Sequence, residues 1–119
     1  MATATKIKLS GSTDGERILV SQTATLGNTI HATGTGLSTV VIDEISFDLA
    51  NVSAAAVLVT IEWGGVAAKD IIKINLDPYE IRSFTNILAG TGSAANTLSI
   101  FAATTNVVTV GGWVDRYTL

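Results

Sequence analysis

Apolar residues recur at alternate positions along this chain, in short segments cut apart by Gly, Asn, Asp and Ser. A period of two marks strands with one buried face, and many such segments in a row point to a sandwich or barrel. The clearest stretch lies in the middle. In residues 39–50, Ile45, Phe47 and Leu49 share one face and Glu44, Ser46 and Asp48 the other. In residues 56–63, Val57, Val59, Ile61 and Trp63 alternate against Thr60 and Glu62. With Asn51-Val52-Ser53 as the turn, these arms read as an antiparallel hairpin. The stretch 49–59 is Ala-rich enough for a helix, but the β-branched run Val57 to Ile61 favours strand.

Further strands are expected at 5–9, 17–21, 29–33, 70–76 and 80–84. A closing hairpin is expected from 97–103 and 107–116 across Thr104-Thr105-Asn106. Asp14-Gly15 supplies a turn with positive φ, and Asp77-Pro78 a tight one. Residues 86–95, rich in Gly and Ala, read as an irregular loop. Gly34-Thr35-Gly36 breaks the chain, and Gly111-Gly112 marks a bulge or a close approach of backbones. The expectation is a single all-β domain over residues 1–119, an antiparallel β-sandwich of about eight strands, jelly-roll-like.

Composition narrows the function. Charged residues make up 14% of the chain, against about 25% in an average soluble domain. Seven basic and ten acidic residues, net −3, make a poor footprint for nucleic acid, so no nucleic-acid partner is expected. The longest apolar stretch, 54–61, is far short of a membrane helix, and no basic-then-apolar leader opens the chain. No membrane partner is expected, and synthesis in a cytoplasm is. With no Cys, neither disulfide nor zinc staples support the core.

Chemistry-bearing groups are sparse. His31 is the only histidine, and Thr29-Ile30-His31-Ala32-Thr33 carries no nucleophile motif, so a packed or exposed side chain is expected. Glu44 and Asp48 share a strand face about 13 Å apart, too far to act as a pair. Asp43 points to the opposite face, and the three carboxylates read together as a solvated strand surface. Gly90-Thr91-Gly92-Ser93-Ala94-Ala95 matches a relaxed dinucleotide pattern but precedes a strand, where the fingerprint needs a helix. Gly34 to Thr39 lacks the Lys of a phosphate-binding loop. Asn51-Val52-Ser53 is formally a glycosylation acceptor and reads as a turn. No cofactor, metal or catalytic activity is expected. Trp63 and Trp113, each beside glycines near a strand end, are the candidate contacts for a partner or a sugar, with core packing the plainer role.

A free domain of this size keeps its surface charged and its sheet edges protected. This one covers itself with Thr, Ser, Ala, Gly and Asn, which points to burial between subunits of a symmetric homo-oligomer. Four segments carry a family resemblance: Ile7-Lys8-Leu9-Ser10-Gly11-Ser12; Asp43-Glu44-Ile45; Val59-Thr60-Ile61-Glu62-Trp63-Gly64-Gly65; and Phe101-Ala102-Ala103 through Val108-Thr109-Val110-Gly111-Gly112-Trp113-Val114. With these the chain resembles the small structural proteins of tailed bacteriophages, capsid decoration and head-associated proteins. The resemblance implies a virion location, the major capsid protein or other virion proteins as partners, and often a trimer. A tail, neck or fibre component, or a carbohydrate- or receptor-binding module, would have the same composition.

Overall fold

The computed structural model describes residues 3–33, 40–90 and 95–118. They form nine strands: β1 (Thr3–Lys8), β2 (Ile18–Val20), β3 (Asn28–Ala32), β4 (Val41–Asn51), β5 (Val57–Trp63), β6 (Ile71–Leu76), β7 (Ile81–Gly90), β8 (Thr97–Ala102) and β9 (Val108–Thr118). A single 3-10 turn, Ala68–Asp70, precedes β6. All pairings are antiparallel. Sheet A runs β1-β9-β4-β7, with β2 also on β9, and sheet B runs β3-β8-β5-β6. Their inner faces pack together as a β-sandwich. Leu9, Ile30, Ile45, Leu49, Ile61, Leu76, Leu98 and Ile100 are all but inaccessible there. Burial of each such side chain contributes about 1.5–3 kcal/mol before entropy is counted.

Neither expected hairpin forms. β4 lies between β9 and β7 in sheet A, whereas β5 lies between β8 and β6 in sheet B. β8 and β9 are likewise in different sheets. Alternation fixes which face of a strand is buried but not which strand lies beside it. Residues 52–56 and 103–107 are long enough to cross the roughly 10 Å between packed sheets. Asn51 fixes the first crossing. Its buried amide donates to the carbonyls of Ala55 (2.8 Å) and Asp77 (3.1 Å), and its oxygen accepts from the Ser53 N–H (3.0 Å) and hydroxyl (2.8 Å). A side chain so engaged is a structural clamp. Asn106 turns the second crossing with a φ of 62°.

Residues 86–90, expected in a loop, continue β7, which pairs with β4 over ten residues from Ala50↔Ile81 to Val41↔Gly90. Pairing and an apolar neighbour override the weak strand propensity of Ala and Gly there. The rest of that expected loop, apart from Ala95, and Gly34 to Thr39 lie outside the described residues. The Asp14-Gly15 turn has the positive φ values expected of it, 53° and 82°.

Gly111 and Gly112 allow close approach without a bulge, since the β4–β9 register runs unbroken past them. A Cβ on Gly112 would lie 2.0 Å from the Ser46 carbonyl oxygen and 2.7 Å from Phe47 Cα. A Cβ on Gly111 would meet the end of the Arg17 side chain at 2.5 Å. Gly112→Ala is therefore expected to destabilise by about 3 kcal/mol or more, because backbone must move. Gly111→Ala should have a milder effect, because a guanidinium can swing aside. Urea unfolding of both variants checks this, and equal midpoints would contradict it.

Candidate functional site: two unlike outer faces and two buried carboxylates

The outer face of sheet A is set by the strand registers. Odd-numbered residues of β9 and β7 and even-numbered residues of β4 point outward. Across the strands this gives the rows Tyr117–Ile42–Ala89, Asp115–Glu44–Ile87, Trp113–Ser46–Thr85, Gly111–Asp48–Ser83 and Thr109–Ala50–Ile81. Ile81 is 68% exposed, Ile87 54% and Trp113 47%. Trp113 lies in the middle of β9, not near a strand end as the sequence suggested. Lys6 Nζ sits 5.2 Å from its ring centroid, within cation–π range. Beside the ring runs a shallow groove of ≈ 120 Å³. Gly111 and Gly112 line it together with Ser46, Asp48, Ser83 and Thr85. Arg17 crosses Gly111 to reach Asp48 and the hydroxyl and carbonyl of Thr109.

Trp63 is placed differently. It ends β5 on the inner side and stacks on Phe47 (centroids 6.3 Å apart), which stacks in turn on Phe84 (5.4 Å). It is half-buried, so the two tryptophans do not form one platform.

Sheet B has a different outer face. Thr60 and Glu62 point outward as alternation requires, yet both are buried, and the β2–β3 connection lies over Glu62. Glu62 organises that cover. Its carboxylate accepts from the Thr25 hydroxyl, the Gly27 N–H (2.8 Å) and the Ser99 hydroxyl (2.8 Å). Burial pushes its pKa up, but the three donors outweigh this and hold the carboxyl below its ordinary value. Gly27 leaves no room for a side chain against the backbone of Ile100.

Asp43, expected on a solvated face, is fully buried on the inner face of sheet A. His31 reaches it from sheet B. A β-bulge between Thr29 and His31 turns both Ile30 and His31 into the interior, which alternation alone does not foresee. His31 Nε2 lies 2.7 Å from Asp43 Oδ2, and Arg116 donates to both carboxylate oxygens at 2.8 and 2.9 Å. The Ser10 main-chain N–H donates to His31 Nδ1 at 3.0 Å, so the ring proton sits on Nε2 and faces Asp43. The Ser10 hydroxyl accepts from the Ala32 N–H. His31 and Asp43 are thus buried together while Ser10 stays at the surface, and of Ser10 the imidazole meets the main-chain N–H rather than the hydroxyl. Among the described residues no group of three or more His, Asp or Glu is arranged to hold a metal ion.

Desolvation lowers the pKa of His31, against the pull of Asp43. For Asp43, desolvation acts upward but is outweighed by hydrogen bonds from Arg116 and His31, so its carboxyl lies below the ordinary value. No family model, no curated protein and no solved structure matches this chain.

Two predictions follow from these charges. With the folded pKa of His31 below 6.5, the unfolded chain binds the proton first. Stability is then complete above pH 6.5 and declines as pH falls from there towards the folded value. Urea unfolding between pH 7.5 and 5 should show the decline in the wild type and a flatter profile in His31→Gln; matching profiles would contradict it. Glu62→Gln turns an acceptor into a donor facing donors. It is expected to destabilise by about 2 kcal/mol and to expose the 21–27 connection to limited proteolysis; an unchanged digestion pattern would contradict the role given to Glu62.

Proposed function

We propose that the chain is a non-enzymatic structural subunit of a bacteriophage virion, docked on the major capsid protein or another virion protein through the outer face of sheet A. The observation that carries the assembly part is the unequal cover of the two faces. The chain lays its own β2–β3 connection over sheet B and buries even a carboxylate beneath it. Among the described residues only Arg17 crosses the outer face of sheet A, and Ile81, Ile87 and Trp113 project from it. Exposed apolar groups on a flat sheet rimmed by polar residues are the usual make-up of an interaction surface.

The virion part comes from the sequence resemblance. A proposed jelly-roll topology is consistent with it, since capsid and lectin domains both use that fold. Counting β1 and β2 as halves of one edge strand leaves eight, ordered 1/2-9-4-7 and 3-8-5-6. Each consecutive pair from β3–β4 onward crosses between sheets except β5–β6, as in two interlocked Greek keys. A head-decorating role is the first choice, and a tail, neck or fibre position is the alternative. A second reading, a sugar-binding module, is favoured by the groove, where an indole wall meets hydroxyls and a carboxylate.

The deciding experiment is a reconstruction of intact particles from the producing cells, with particle binding assayed for the wild type and Trp113→Ala. The proposal predicts density for this sandwich with sheet A against a neighbour, and binding weakened by about tenfold in the variant. Particles without the chain would overturn it. Glycan binding by the free chain that is lost in Trp113→Ala would move the assignment to the second reading.

A further inference from the structure

The outermost strands of the two sheets are not equally protected. On one side of sheet A the edge is broken between Lys8 and Ile18, and its first part carries Lys6 and Lys8. In sheet B, β3 is short, carries the bulge, and is flanked by the segment after β1, where the Gly11 N–H donates to the Ile30 carbonyl. β6 is six residues long with Lys73 at its centre. Short edges, lysines, bulges and covering segments are how proteins prevent strand addition. Among the described residues β7 has none of these, apart from two Asn side chains on its open side. It runs for ten residues without a bulge, and its only charge, Arg82, is paired with Glu80 at 2.6 Å.

The direction of its main-chain groups can be read from the ladder. The Asn51 N–H donates to the Glu80 carbonyl, so the even-numbered residues of β7 bond to β4. The odd-numbered ones, Ile81, Ser83, Thr85, Ile87 and Ala89, turn their N–H and C=O groups to the open side. Two contacts agree: the Ile87 N–H is met by the Asn86 side chain, and the Ala89 carbonyl by that of Asn96. The same odd residues carry their side chains on the outer face of sheet A.

We infer that β7 pairs antiparallel with β7 of a second copy of this chain, about a two-fold axis through Thr85. This rests on the assembly reading and names one of its contacts. A second extended strand can meet the whole row at once, displacing the Asn86 and Asn96 side chains from Ile87 and Ala89, and this strand is complementary to itself. With Thr85 opposite Thr85, Ser83 faces Ile87 and Ile81 faces Ala89, all on one face and all in hydrogen-bonding positions. Arg82 faces Leu88, so no like charges meet. The pairing sets Ile81 beside Ala89 and Ile87 beside Ser83 of the second copy and leaves these side chains on the outer face. It also closes the side of the sandwich where Trp63, Ile72, Phe84 and Asn86 line a cleft of ≈ 70 Å³. The two outer faces then continue as one sheet, doubling the docking surface.

Light scattering on the full chain tests this, with circular dichroism to check that each variant is folded. The wild type should double its mass with rising concentration. Thr85→Lys and Thr85→Glu, each placing like charges across the axis, should weaken pairing by roughly tenfold or more, and an equimolar mixture of the two should restore it. Thr85→Pro removes an N–H that points away from β4, so it should abolish pairing and leave the fold intact. An oligomer unchanged by all three variants would overturn the β7 contact and leave the assembly reading standing. So would a monomeric wild type that is nonetheless present in particles. A monomer absent from particles would overturn both.

Discussion

Asp43 sits inside a sandwich, near the start of β4 and on the face turned towards the other sheet, where water does not reach. A carboxylate can stay ionised there only if every oxygen is met, and three donors meet these two oxygens. Arg116 comes from the neighbouring strand of the same sheet, and His31 from the opposite sheet. The main-chain N–H of Ser10 then fixes the imidazole. One charge therefore ties the segment after β1 to β3, β4 and β9. A buried pair of this kind adds little net stability over an apolar core, but losing one partner leaves a stranded charge at about 3–5 kcal/mol. The cluster is better understood as a device that holds the two sheets in one alignment at this end of the sandwich. It explains why the only histidine of the chain and an acid lie together without a cleft around them.

At sheet B a second buried carboxylate, Glu62, does similar work for a loop. Two of its three donors, the Thr25 hydroxyl and the Gly27 N–H, bring the β2–β3 connection down onto part of the outer face. Among the described residues sheet A has no equivalent cover, so the two outer faces differ: part of one lies under the chain's own connection, and the other is a plane that presents Ile81, Ile87 and Trp113 among threonine, serine and the charged groups Glu44, Asp48 and Asp115. In a protein with so few charged residues, that plane is the feature a structural role among neighbours would use. The unprotected β7 edge borders the same plane, so the two contacts proposed for this chain are adjacent.

Much of the strand pattern was legible from residue alternation. The buried stripes of β4 and β5 fall where Ile45, Phe47, Leu49, Val57, Val59 and Ile61 placed them, and the Asp14-Gly15 turn has its expected backbone. Pairing was not legible, because alternation is silent about neighbours; both expected hairpins proved to be crossings between sheets. The buried charges divide in the same way. Asp43 shares parity with Ile45 and Phe47, and Arg116 shares it with Val110 and Val114. A charge on each of two apolar stripes was a readable signal that the two must meet. His31 gave none, since only the bulge turns it inward. Glu62 has the parity of a solvent-facing residue, and nothing in the sequence marks the loop that covers it. Of the two tryptophans, Trp63 took the packed place and Trp113 the open one, a division that depends on which sheet each strand joined.

The central claim, that the bare face of sheet A is covered in the protein's working state, can be read at one residue. Hydroxyl-radical footprinting of Trp113 should be carried out on the dilute free chain and on the chain within its native assembly. The account predicts that the indole is readily oxidised in the free chain and strongly shielded in the assembly, while Leu26, exposed in the connection over sheet B, reacts more alike in both. Equal oxidation of Trp113 in the two states would mean that sheet A faces solvent throughout, and the account would fail.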